Sequence, residues 1–298
     1  MQELDAIFSP PFLYKPKNKI HILVRLIARY FHSSETFLGI VMADIRTKRN
    51  VGTFYFVLTL MISIALVSFG FAERCHAQTP VELKPGDHIC YIGNTTADRM
   101  QHHGWLESLI HTLHPEHDLT FRNLGFAADE LAQRPRSDNF GSPEQWLTKC
   151  KADVVFCFFG YNEALNGPDG LPKFEKDLAA TIDEMLSKKY NGKSAPRLVF
   201  FSPIAHENLK SPNLPDGSEN NANLKLYSEA MQRVCVTKKV PYFDLFYRTG
   251  DLYQRSTEPL TMNGIHLLDR GNKAVAFSLI GDLFPGKVLP KDRVEKVR

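Results

Sequence analysis

The sequence predicts an α/β protein built on one parallel sheet of five strands with helices on both faces. Three observations carry this. Short apolar runs alternate with longer amphipathic stretches from residue 88 to residue 283, the order that strands joined by crossover helices produce. Val154–Phe159 is apolar almost throughout, as suits a strand covered on both sides. Each run ends in glycine or small polar residues, the punctuation of strand-to-helix turns.

The first strand is His88–Ile92, an apolar run too short for a helix. Gly93–Asn94 then turns the chain, and Thr95, Thr96 and Asp98 suit the cap and first turn of a helix. That helix is expected over Asp98–Leu113, with Met100, Trp105, Leu106, Leu109, Ile110 and Leu113 as its apolar positions. The second strand is Leu119–Asn123. Ser142 caps a short helix at Pro143–Lys151, where Pro143 takes the first position. After the third strand come a helix at Leu171–Tyr190, a strand at Leu198–Ser202 and a long polar loop, Pro203–Asn221. A helix at Ala222–Lys238, a strand at Tyr242–Leu245 and a final helix at Gly271–Leu283 complete the domain.

Around this domain (87–285) the sequence predicts a leader (1–77), a short linker (78–86) and a loose charged tail (286–298). In the leader, Arg46, Lys48 and Arg49 precede the uncharged apolar run 51–72, and Cys75 and Ala77 place small residues before Gln78. This pattern favours a cleaved signal over 42–77, with a retained membrane anchor as the alternative. Both put the domain outside the cytoplasm. Lys19–Phe31 reads as an amphipathic surface helix, or residues 1–41 as sequence upstream of the true start.

The net charge of +3 resides in the leader, which carries nine basic and five acidic residues, whereas the remainder carries 27 basic and 28 acidic. Nothing here suggests a nucleic-acid partner. A membrane partner is expected only if residues 51–72 are retained. The five cysteines lie at 75, 90, 150, 157 and 235, without CxxC or zinc spacing. Cys90 and Cys157 read as buried thiols, and spacing gives a Cys150–Cys235 bridge no support. His102, His103, His111, His114 and His117 show no ligand spacing and read as a solvated helix face, so no metal or cofactor is expected.

In a sheet of this kind the strand ends share one edge, where ligands bind. Gly93–Asn94–Thr95 follows the first strand, Asn123–Leu124–Gly125 the second, Gly160–Tyr161–Asn162 the third, and Ser202 with His206 and Glu207 the fourth. Asn263 and His266 precede the last helix. A hydroxyl, a histidine, an amide and a glycine N–H are the parts of an acyl-transfer site.

Taken in order, these blocks resemble the SGNH hydrolases, or GDSL-type esterases, over about residues 86–285. The wording is also similar to secreted SGNH-type proteins of planctomycetes. The resemblance implies a flavodoxin-like three-layer α/β/α sandwich. It puts Thr95 at the nucleophile position in Gly93–Asn94–Thr95, Gly125 at the oxyanion glycine, Asn162 at the oxyanion amide, and Asn263 and His266 at the ends of the Asp-x-x-His block. Thr95 would attack an acyl carbonyl, His266 would take its proton, and Asn263 would orient His266. The N–H groups of Thr95 and Gly125, with the Asn162 amide, would hold the oxyanion. Asn94, His206 and Glu207 are candidates for substrate contact, and an acetylated carbohydrate or other small ester is the implied substrate. Two positions depart from the family pattern. Threonine stands for serine, and its β-branch restricts χ1. Asparagine stands for aspartate and cannot stabilise an imidazolium by charge. A binding module that keeps the fold without hydrolysis is the alternative function.

Overall fold

The computed structural model describes residues 80–136 and 139–294, within the compact unit Gln78–Arg298. The leader, with its signal or anchor, lies outside the described residues.

The five strands are β1 (His88–Gly93), β2 (Thr120–Asn123), β3 (Val154–Phe158), β4 (Arg197–Phe201) and β5 (Tyr242–Phe243). They pair in parallel in the order β2-β1-β3-β4-β5. This is the flavodoxin-like order, whose ligand crevice opens between the ends of β1 and β3. The helices are α1 (Thr95–Met100), α2 (Trp105–Leu113), α3 (Pro143–Lys149), α4 (Leu171–Ser187), α5 (Ser218–Lys238), α6 (Leu245–Arg255), α7 (Asp269–Leu283) and α8 (Lys291–Val294).

Period-two alternation divides the core into two layers. Tyr91, Phe156, Phe158 and Phe201 face Leu109 of α2 and Val275 and Leu279 of α7. Cys90, Val155, Cys157 and Phe200 face Leu147 of α3, Leu178 of α4 and Met231 of α5. All five residues of β3 are buried, so this strand is covered on both faces as its composition requires.

Several expected elements change at their ends. The helix expected over Asp98–Leu113 is two helices, because Gly104 takes a left-handed φ of 60° and starts α2 afresh. The fifth strand stops at Phe243, and Leu245 opens α6. There Asp244 accepts from Tyr247 N at 2.9 Å, and Ser202 Oγ accepts from Leu245 N and Phe246 N at 2.8 and 3.0 Å. These caps satisfy the helix's first N–H groups at the sheet edge. The linker is packed onto the domain: Val81 and Leu83 are buried, and Val81 N donates to Leu283 O at 3.0 Å. In the tail, α8 buries Val294. Nor is the histidine segment wholly solvated. His114 is buried, stacked on His117 and edge-on to Phe284, and burial first of all lowers its pKa to about 4. Cys90, Cys150, Cys157 and Cys235 are free thiols. Among the described residues no helix is long and apolar enough to cross a membrane.

Candidate active site

Gly93 ends β1 with φ of 128°, and a Cβ there would meet Phe158 O at 2.0 Å. Only glycine lets β1 and β3 finish this close together. Asn94 follows, buried, donating its N–H to Phe158 O at 3.0 Å. Its side-chain oxygen accepts from Thr96 N at 3.0 Å and so caps α1. Asn94 therefore spends its side-chain carbonyl on the turn, not on a substrate. Thr95 is the first helical residue and stands half-buried at the crevice.

His266 lies on the loop between α6 and α7. Thr261 and Leu267 form an isolated antiparallel bridge, and Met262 N donates to His266 O at 2.9 Å. Within this turn Asn263 Oδ1 receives His266 N at 3.1 Å and lies 3.0 Å from His266 Nδ1. A backbone N–H can only donate, so this atom must be the amide oxygen. Nδ1 then carries the ring proton and Nε2 bears the lone pair. Asparagine thus sets the tautomer a general base needs. Burial, and then the Arg99 guanidinium, hold the His266 pKa below its ordinary value.

His206 and Glu207 are not where a substrate could touch them; both are buried supports of this loop. Glu207 accepts from Leu260 N at 3.0 Å, Thr261 N at 2.7 Å and Thr261 Oγ1 at 2.6 Å. Thr261 Oγ1 in turn accepts from Gly264 N at 3.0 Å, and Glu207 N donates to Gly264 O at 2.8 Å. The His206 ring fills the space beside Gly217 and Gly264, where a Cβ would come within 2.4–2.6 Å of ring atoms. Burial there lowers the His206 pKa.

Thr95 and His266 line the same narrow cleft, with Thr96, Arg99, Ile204 and Ile265. The two other expected oxyanion donors sit at neighbouring strand ends and already have acceptors. Gly125 N donates to Asn123 Oδ1 at 2.9 Å, and Asn162 Nδ2 to Asp129 O at 3.3 Å. Gly125 is required for packing as well: a Cβ there would meet Asp98 N at 2.6 Å and Ala97 Cβ at 2.7 Å. Beside it opens a pocket of about 180 Å³ lined by Phe126, Arg134, Phe140 and Trp146. Among the described residues no group of histidine, cysteine and acidic side chains could hold a metal.

Sequence reasoning missed Arg99 and the supporting Thr261. Arg99 stands one helical turn beyond Thr95 on α1, a spacing that puts both on one face. Thr261 carried no such signal, because its partner Glu207 is 54 residues away.

The model of the GDSL-like lipase/acylhydrolase family matches residues 86–274. The chain belongs to this family. A comparison with curated protein sequences gave no match. Among solved structures, a gut microbial diltiazem-metabolizing enzyme is similar at 17% identity and a TM-score of 0.54, over 70% of this chain and 49% of that one. The chain thus spans about half of that enzyme's length. A catalytic mutant of an acetylxylan esterase from Geobacillus stearothermophilus is similar at 13% identity and a TM-score of 0.54, over 71% of this chain and 99% of that one. The unaltered form of that esterase gives 14% identity and a TM-score of 0.52, over 68% and 96% of the two chains. At such identities the likeness is one of fold: the five-stranded parallel sheet with helices on both faces. In this GDSL-like chain the block after β1 presents threonine, and the block before the last long helix presents asparagine.

Proposed function

We propose that this chain is an extracytoplasmic SGNH-type hydrolase of small acyl esters, with Thr95 as nucleophile and His266 as general base. One observation carries the reading: Thr95 shares a cleft with a histidine whose Nε2 is freed as a base by Asn263. Thr95 Oγ1 attacks the acyl carbon as its proton passes to His266 Nε2. The carbonyl oxygen takes the charge, and the N–H of Thr95, the first residue of α1 and without a partner within the helix, is the donor left to receive it. Collapse of the intermediate expels the alcohol, which takes the proton from His266. Water, deprotonated by His266, then hydrolyses the acyl-threonine and regenerates the hydroxyl. An acetylated carbohydrate fits the reading by analogy with the acetylxylan esterase of the same fold.

The test is hydrolysis of p-nitrophenyl acetate by the wild type and by Thr95→Ala and His266→Ala. Each variant is expected to lose about a thousandfold or more in kcat, because nucleophile and base act as a unit. Labelling by a phosphonate ester should fall on Thr95. Turnover unaffected by either change would overturn the assignment. A second reading, a binding module without turnover, draws on the donors of Gly125 and Asn162 being already engaged. Correct folding with ligand binding but no hydrolysis in any variant would favour it. Export rests on the charged and apolar pattern before Gln78, and Gln78 at the mature N-terminus by mass spectrometry would support it.

A further inference from the structure

Arg99 differs from most arginines of the domain. Arg136 holds Asp129 through two bonds of 2.5 and 2.7 Å, and Arg197 reaches Asp87 at 2.5 Å. Arg233, Arg255 and Arg270 likewise face carboxylates. The Arg99 side chain, among the described residues, forms no ion pair or hydrogen bond, and its Nε is shut away from solvent without a partner. Asp98, its neighbour in sequence, and Asp269, which opens α7, have other partners. Asp98 accepts from Gln101 Nε2 at 2.8 Å, and Asp269 accepts from Trp105 Nε1 at 2.8 Å and faces His103 at 3.2 Å. Arg99 instead lines the cleft of Thr95 and His266 and is close enough to lower the His266 pKa.

A guanidinium with an unpaired, water-excluded N–H is costly unless something fills the site. Its planar fork suits a carboxylate, which it can hold through two parallel bonds. Ile204, Ile265 and Leu267 add apolar wall to the cleft beside Thr96 and Asn272, and in partly apolar surroundings a charge pair gains strength. We propose that the cleft takes esters bearing a carboxylate close to the scissile bond, such as an acylated hydroxy acid or acidic sugar, and that Arg99 binds that carboxylate. This rests on the hydrolase reading above and narrows its substrate class. Arg99 sets specificity, and the chemistry remains with Thr95 and His266.

The experiment compares charged and neutral ester pairs on the full chain. One pair is p-nitrophenyl hemisuccinate and p-nitrophenyl butyrate, with the carboxylate on the acyl side. The other is O-acetyl-lactate and its ethyl ester, with the carboxylate on the alcohol side. The wild type should prefer the charged member of at least one pair by about tenfold or more in kcat/KM, one good charge-assisted contact. Arg99→Gln should abolish the preference, with kcat/KM for the charged ester falling through KM about tenfold further than for its neutral partner. Arg99→Lys should recover part of it. Calorimetry with succinate and with lactate, which needs no turnover, should show salt-sensitive binding of at least one that Arg99→Gln removes. Binding without turnover of any ester would fail the hydrolase reading while keeping Arg99 as a carboxylate site. Equal losses on charged and neutral esters, or no preference together with no binding, would overturn the proposal.

Discussion

The two sides of the cleft are built differently. On the base side, polar contacts converge: Glu207 holds Thr261, Thr261 holds Gly264, and Asn263 holds His266. Each member of that chain has its acceptor or donor inside the protein, and together they fix one ring nitrogen as a base. On the oxyanion side, two of the three expected donors already have acceptors, Gly125 on Asn123 and Asn162 on Asp129, and only the Thr95 N–H is left. Preorganised donors aimed at the developing charge are usually the largest contribution to catalysis. Under the proposed hydrolysis, the contrast implies a base that is ready, an oxyanion site that is only partly so, and therefore slow turnover.

The sharpest way to break the comparison is to undo the base side. Glu207→Ala leaves several buried donors without an acceptor at about 1–3 kcal/mol each. A marked fall in Tm and a loss of kcat of about a hundredfold or more are expected. Glu207→Gln keeps the volume but points an N–H₂ group at donors. It should lower kcat with KM nearly unchanged, since it acts through His266. A Glu207→Gln protein with wild-type kcat would show that the loop holds itself.

Next in size is the missing charge. Asn263 already gives His266 its working tautomer, so Asn263→Asp adds only stabilisation of the imidazolium. In a serine-protease triad the reverse change costs about four orders of magnitude, partly through a wrong tautomer. A gain of about tenfold in kcat/KM is expected here, larger in combination with Thr95→Ser. Single and double mutant kinetics would decide, and a loss of activity on adding Asp would show that the cleft rejects a carboxylate beside the histidine.

A smaller effect should come from opening the oxyanion side. Asn123→Ala frees the Gly125 N–H and also removes the 2.6 Å bond from Asn123 Nδ2 to Ala97 O. A kcat gain of a few-fold is expected, with a loss of stability of about 1 kcal/mol. A fall in kcat would place the Asn123 turn among the supports of Thr95 instead.

The smallest effect is a displacement along pH. The His266 pKa is depressed by burial and by Arg99, so the base form survives to lower pH. The acid limb of kcat/KM should lie below about 6.5, the unperturbed histidine value. Arg99→Gln removes a repelling cation and Asn263→Asp adds an attracting anion. Both raise the pKa, and both should move the limb to higher pH. A limb that stays put in both variants would assign the titration to another group.

The sequence carried those features that local pattern encodes. The strand cores, their parallel order and the convergence of Thr95 and His266 on one cleft follow from apolar runs and the order of the blocks. Features set by tertiary contacts were hidden. Leu245–Arg255 is helical although its composition includes Gly250, Thr249 and three aromatic residues, poor helix formers, because Ser202 and Asp244 cap it from outside its own apolar pattern. His206 and Glu207 looked like substrate contacts because they follow a strand at the active edge. Only the folded chain shows that the His266 loop lies across them and buries both. Arg99 was legible in principle, being one turn from Thr95, but its lack of a partner is a property of the whole surroundings.

Gly93 divides this active edge into a part open to change and a part closed to it. Any side chain at 93 would collide with the backbone of Phe158, the strand next door, whereas the Thr95 side chain stands at the crevice and caps nothing. A library scored for folding alone should therefore tolerate many residues at 95 and almost none but glycine at 93. The residue at 95 could then be exchanged, repeatedly and in either direction, over evolutionary time without the scaffold registering the change, while the glycine turn beneath it stayed frozen.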